Sequence, residues 1–305
     1  MAGRNRYTRR HVPRPLHALV CGNANVELSL AAPGFSLPPG ESTEHPHGLS
    51  LGVSGVGFNV AHALARLGAE TYFLGFAGTD PAGEVVRRGL EKAGVGAHLV
   101  PVPATPLSLV VTTPGGRRHI HRDLKGLGEH PAPTEVFQTT LAGAQVVVLG
   151  NVAWTRELLP LARAAGVPVV TDLQGTPGPG HPYDVPYLAA DIVFLSGENG
   201  EAVQAYRAEH DPRVIVAGLG GEGALLSERG RAPWHQPAVR TRPVMSTNGA
   251  GDALLAAFTR AYFGGLGTRE ALRLACAFAS WKCGEAGGAA GHLTRAELSA
   301  LTETP

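Results

Sequence analysis

From Thr134 onward the chain alternates between short apolar runs and helical patterns, and this alternation limits its possible folds more than any other feature. The runs Gln145–Leu149, Pro168–Asp172, Ile192–Leu195 and Val214–Ala217 read as buried strands with helices between them. Short apolar strands in that arrangement form a parallel sheet covered by helices on both faces. The N-terminal part adds a strand at His17–Cys21, ending in the polar turn Gly22-Asn23-Ala24-Asn25, and a helix over Val56–Leu67 closed by Gly68. A strand at Thr71–Leu74 and a helix over Pro81–Ala93, opened by its proline, follow. Ala97–Val102, Leu107–Thr113 and Arg117–His121 read as strands, the last two joined in a hairpin by Pro114-Gly115-Gly116. Ala224–Ser227 pairs with a segment near Trp234, and two long helices, about Gly249–Phe263 and Thr268–Cys283, complete the core.

No repeat or linker divides the chain, so residues 16–305 read as one domain. Residues 1–15 are expected to be a disordered basic tail, because Gly3 to Pro15 hold five arginines and two prolines with almost no apolar surface. A net charge of +1 argues against binding nucleic acid or a membrane surface through bulk charge. Cys21, Cys276 and Cys283 show no CxxC spacing, and no apolar run reaches membrane-spanning length. A reducing, cytoplasmic setting is the expectation.

Chemistry concentrates in Ser246-Thr247-Asn248-Gly249-Ala250-Gly251-Asp252-Ala253, which opens the first of the two long helices. Small residues at a helix start leave backbone N–H groups bare, and the helix dipole reinforces their pull on an anion such as phosphate. Asp252 places a carboxylate beside that cradle, where it can take a proton from a hydroxyl attacking the phosphate. Alone, the string also fits an ordinary glycine-rich cap. A second segment, Ser54-Gly55-Val56-Gly57-Phe58-Asn59-Val60-Ala61, sets glycines before a helix and adds an amide able to donate to and accept from hydroxyls. Alone, it fits a tight loop feeding an amphipathic helix.

With both segments in order, the chain resembles the ribokinase-like (PfkB) carbohydrate kinase family from Leu16 to Leu301. The resemblance implies a doubly wound α/β fold, a mostly parallel sheet flanked by helices, with a small β-sheet lid from segments about 25–51 and 97–123. It implies ATP- and Mg²⁺-dependent phosphorylation of a sugar hydroxyl, with Asp252 as general base and Gly249, Ala250 and Gly251 as the anion hole. Asn25, Glu27, Gly55 and Asn59 fall where the family binds its sugar. Gly218, Gly220, Gly223 and Asn248 fall on the nucleotide side. Homodimerisation through the lid is a further implication, since a small sheet has edges to cover.

The chain departs from the family pattern at three places. Ser246 stands where an aspartate is common, which puts monovalent-ion activation in doubt. Ser196-Gly197-Glu198-Asn199 replaces the usual Asn-x-x-Glu, leaving Glu198 as the candidate metal ligand. Glu27 replaces a frequent aspartate, and the longer acid implies a shifted or smaller acceptor. A nucleoside acceptor stacked on Phe58 and Trp154 is the first rival reading, and a non-catalytic sensor the second. The GxGxxG match at Gly218–Gly223 precedes a strand rather than a helix, unlike a dinucleotide fingerprint. Asp172, at the end of a core strand, is a candidate supporting residue.

Overall fold

The computed structural model describes residues 15–36, 40–175, 180–197 and 200–303; most of the tail read at residues 1–15 therefore lies outside the described residues. In chain order the first half forms β1 (His17–Cys21), β2 (Asn25–Ala31), β3 (Leu49–Ser54), α1 (Val56–Arg66), β4 (Glu70–Gly78), α2 (Pro81–Lys92), β5 (Gly96–Val102), β6 (Leu107–Thr112), β7 (Arg118–Asp123) and α3 (Thr134–Leu141). The second half forms β8 (Val146–Gly150), α4 (Leu158–Ala164), β9 (Val169–Asp172), β10 (Ile192–Ser196), α5 (Gly200–His210), β11 (Val214–Gly218), β12 (Ala224–Glu228), β13 (Trp234–Gln236), α6 (Ala250–Phe263), α7 (Thr268–Lys282) and α8 (Arg295–Glu303).

Nine strands make one sheet in the order β13-β12-β11-β10-β9-β8-β1-β4-β5. It is parallel from β11 to β5, while β12 and β13 are antiparallel. Successive side chains of a strand face opposite ways, so each buried strand feeds two cores. Val20, Val148, Val170, Phe194 and Val216 pack on one face with α1, α2, α6 and α7. Leu19, Cys21, Val147, Leu149, Val193 and Ile215 pack on the other with α3, α4 and α5. The predicted two-faced burial and doubly wound fold are observed.

The chain winds outward from β1 through β4 to β5, then returns to β8 on the other flank of β1 and winds outward again. That reversal is a topological switch point, and ligands of open α/β sheets bind there, beyond the carboxyl ends of the strands. A four-stranded sheet, β3-β2-β6-β7, stands apart from the large one. Its β2 runs parallel to β6 and antiparallel to β3, and β6 and β7 form the predicted hairpin.

One boundary differs from expectation. Ala97–Val102 belongs to β5, paired parallel with β4 at the edge of the large sheet, so only Leu107–Asp123 of the second expected lid segment lies in the small sheet. Alternating polarity marks a half-buried strand without naming its partner, and here long-range pairing decided it. The crossing is held by Asp80, which caps α2 through Gly83 N–H at 2.8 Å and accepts from Thr105 N–H and Oγ1.

Candidate active site

The start of α6 is built by a left-handed N-cap. Gly249 has φ 79°, and a Cβ there would lie 2.0 Å from the Gly288 carbonyl oxygen, so no side chain fits. Ala253 N–H donates to Gly249 O as the first full helical turn closes. Gly251 and Asp252 occupy that turn, whose amides have no carbonyl four residues back within the helix. Gly251 also faces Asp172: a Cβ there would lie 3.7 Å from Asp172 Oδ2 and 4.0 Å from Ser196 Oγ.

Asp252 is buried, and Asn59 Nδ2 donates to its Oδ2 at 2.7 Å. This bond joins the two motifs across 193 residues of sequence. Its geometry is prepared by Gly55, the N-cap of α1, whose φ of 99° leaves only room for hydrogen beside Asn23 O and Asn25 Oδ1. Asn59 Oδ1 is buried without a hydrogen-bond partner.

The small sheet supplies the opposite wall. Glu27 on β2 is buried and accepts Asn248 Nδ2 at 3.1 and 2.9 Å and Ser29 Oγ at 2.9 Å. Asn25 Nδ2 donates to Ser108 Oγ at 2.8 Å. From β7, Arg118 NH1 donates to Thr247 Oγ1 at 2.6 Å, and Thr247 N–H and Oγ1 donate to Gly116 O. The hairpin of the small sheet is therefore fastened to the loop that opens α6.

Burial dominates the electrostatics. It pushes the Asp252 carboxyl up to about 6, against the Asn59 hydrogen bond and the Arg118 and Lys282 charges, with Glu27 adding to the rise. Burial likewise pushes Asp172 up to about 7, against a hydrogen bond from Gln174 N–H and with a contribution from Asp252. At neutral pH the Asp252 carboxylate is ionised yet has a basicity far nearer that of imidazole than of an exposed acid.

The structure brings Asn25, Glu27, Gly55, Asn59, Asn248, Gly249, Ala250, Gly251 and Asp252 to one end of the sheet. Asn248, expected on the nucleotide side, donates to Glu27 through its side-chain amide. Gly218 ends β11 and Gly220 lies in the open turn that follows. The polar backbone groups of Gly223 are used within that turn, donating to Gly220 O and accepting from Leu219 N–H. Glu198 lies outside the described residues. Trp154, buried edge-on against Phe76, and Phe58, stacked on His62, are both core residues. Arg118 and Lys282 were not singled out as site residues in the sequence. The one available signal was Lys282, one of only three lysines, on the apolar face of a helix.

A wide parallel sheet with a switch point, closed at its carboxyl edge by a small sheet, defines the ribokinase-like class of folds. Residues 16–295 match the pfkB family carbohydrate kinases, and the chain belongs to that family. It is 30% identical over 295 residues to a ribokinase of Arabidopsis thaliana, covering 88% of this chain and 76% of that one. It is 29% identical over 240 residues to the bifunctional protein HldE of Caulobacter vibrioides, covering 71% of this chain and 49% of that protein. The chain thus spans about half the length of the HldE relative it matches. The solved structure of a microbiome-derived acarbose kinase superposes with a TM-score of 0.87 at 25% identity, covering 94% of this chain and 99% of that one. Among the described residues no helix is long and apolar enough to cross a membrane.

Proposed function

We propose that this chain transfers the γ-phosphoryl group of ATP to a hydroxyl of a sugar, with Asp252 as general base. The acceptor oxygen attacks the γ-phosphorus as its proton passes to an Asp252 carboxylate oxygen. The bond to the β-phosphate oxygen breaks, and ADP leaves. Backbone N–H groups of Gly249 and Gly251 receive the charge on the transferring phosphoryl oxygens, a type of donor worth about 2.7–4 kcal/mol each where removal has been measured in other enzymes; the Ala250 N–H donates to Thr247 O at 3.2 Å in this structure. Asn25, Glu27 and Asn59 line the acceptor side, and the unpartnered Asn59 Oδ1 is an acceptor for a sugar hydroxyl.

The observation that carries this reading is the 2.7 Å bond from Asn59 to Asp252, which joins the amide proposed to bind the sugar to the carboxylate proposed as base at a helix N-terminus. Mg²⁺ is proposed to arrive with the nucleotide, phosphate oxygens and water supplying most of its ligands. It would neutralise charge on the phosphates. A sugar is favoured over a nucleoside because the aromatic faces of Phe58 and Trp154 are committed to core packing.

The test is ADP release from ATP and Mg²⁺ across a panel of sugars and nucleosides, with Asp252→Asn as the blank. Sugar-dependent turnover that disappears in the variant supports the proposal. Tight nucleotide binding without turnover on any acceptor would replace it with a sensor.

A further inference from the structure

The loop that follows α7 packs against both motifs at once. A Cβ on Gly288 would fall 2.3 Å from Ser54 Oγ and 2.8 Å from Asn59 Nδ2, and the Gly288 carbonyl oxygen fills the space beside the left-handed Gly249. Four residues on, His292 is buried, and its Nδ1 lies 3.1 Å from Nδ1 of His62 on α1. Arg66, one turn further along α1, donates from Nε to His292 O at 3.1 Å. Asn59, His62 and Arg66 are spaced i, i+3 and i+7, so a single face of α1 holds both Gly288 and His292. The His62 ring stacks on Phe58 and the His292 ring on Phe278, with centroids 5.9 and 5.6 Å apart.

We propose that His62 and His292 are positioning residues for phosphoryl transfer: their bond latches this loop to α1, and Gly288 in the loop holds the Asn59 amide and the N-cap of α6 in register. The inference rests on the reading of Asn59 and the start of α6 as the site, and neither histidine touches the reacting groups. Burial holds both rings below the ordinary histidine pKa, so at neutral pH each is uncharged and carries one proton. A bond between two Nδ1 atoms then needs one ring protonated there and the other bare. His292 Nε2 is buried without a partner. A buried lone pair is left unpaired more readily than a buried N–H, so His292 donates and His62 accepts. Because Gly288 abuts Asn59 and Gly249 together, loosening the loop frees space beside the acceptor-side amide and beside the phosphoryl-side helix start in one movement.

The experiment compares kcat/KM at about pH 8, where both rings are neutral, for the wild type, His62→Asn and His62→Leu, with melting curves for each. Asparagine sets an amide oxygen where His62 Nδ1 stood and still accepts the His292 proton. Leucine fills the volume and accepts nothing. His62→Asn is expected to keep the wild-type rate, and His62→Leu to fall roughly 2- to 13-fold, the loss of one neutral hydrogen bond. Equal effects of the two substitutions, or an active Leu beside an impaired Asn, reduce His62 to a packing residue and overturn the inference. If no acceptor is turned over, the Gly288 backbone amide signal in ¹⁵N NMR replaces the rate. It should shift in His62→Leu and hold in His62→Asn, and equal shifts overturn the inference. If His62→Leu does not fold, long-range ¹H–¹⁵N NMR of the wild-type rings decides. His292 is expected to carry its proton on Nδ1 and His62 on Nε2; two rings both bare at Nδ1 have no proton to share and overturn the latch. Absence of turnover in the wild type, by contrast, counts against the kinase proposal alone.

Discussion

Replacing Asp252 by Asn is expected to abolish turnover while making the protein more stable. The carboxyl is pushed from 3.8 up to about 6 in the fold, mainly by burial. At about 1.36 kcal/mol per pH unit, the folded state bears a penalty of roughly 3 kcal/mol for keeping that group ionised. Between pH 3.8 and about 6 the folded chain binds more protons at this site than the unfolded chain. Stability at this position therefore falls as pH rises through that window, and the penalty is complete above it. An asparagine fills the same volume and never ionises. Its gain over wild type should be near zero below pH 4 and grow to roughly 3 kcal/mol above pH 7, a rise in Tm on the order of 5 °C for a domain of this size. Paired melting curves at several pH values measure it, alongside ADP release, which should fall at least about 100-fold. A stability difference that does not change with pH would refute the electrostatic argument, and near wild-type turnover would remove Asp252 from the chemistry.

Asn59→Ala removes the donor to Asp252 Oδ2 and leaves a buried carboxylate short of a partner. The acid limb of kcat/KM should move upward, since that bond lowers the Asp252 pKa, and kcat/KM should fall roughly 10- to 160-fold, the equivalent of about 1.5–3 kcal/mol, read from pH-rate profiles. Gly249→Ala drives a Cβ against the Gly288 carbonyl at a positive φ, so a loss of at least about 2 kcal/mol is expected by chemical denaturation, with loss of turnover. His292 is buried with Nδ1 3.1 Å from that of His62, and burial holds its pKa well below the ordinary histidine value. The unfolded chain takes up this proton first as pH falls, so the stability of wild type relative to His292→Gln should decline below about pH 6.5, measured as the difference between their melting temperatures.

The layered architecture was legible in the sequence because it follows from local patterns. Apolar runs the length of a strand, separated by helical periodicity, have few ways to hide both faces. Pro81 and the glycines at 68 and 249 then mark where helices begin and end. The glycine-rich start of α6, where the anion cradle is proposed, was legible for the same reason, since a helix start depends on a few adjacent residues. The partner of β5 was not, because Ala97–Val102 has the polarity of either sheet's edge and only its register with Tyr72–Gly78 resolves the choice. Asn248 showed the same limit: nothing in its sequence neighbourhood points to Glu27, which the small sheet brings to it from 221 residues away. Local sequence determined the helix ends, the strand faces and the kinds of functional group available, through steric and hydrophobic effects that reach only a few residues. Tertiary structure alone determined the Asn59–Asp252 contact, the burial that raises Asp252 and the burial of Lys282, because desolvation depends on what surrounds a group in space.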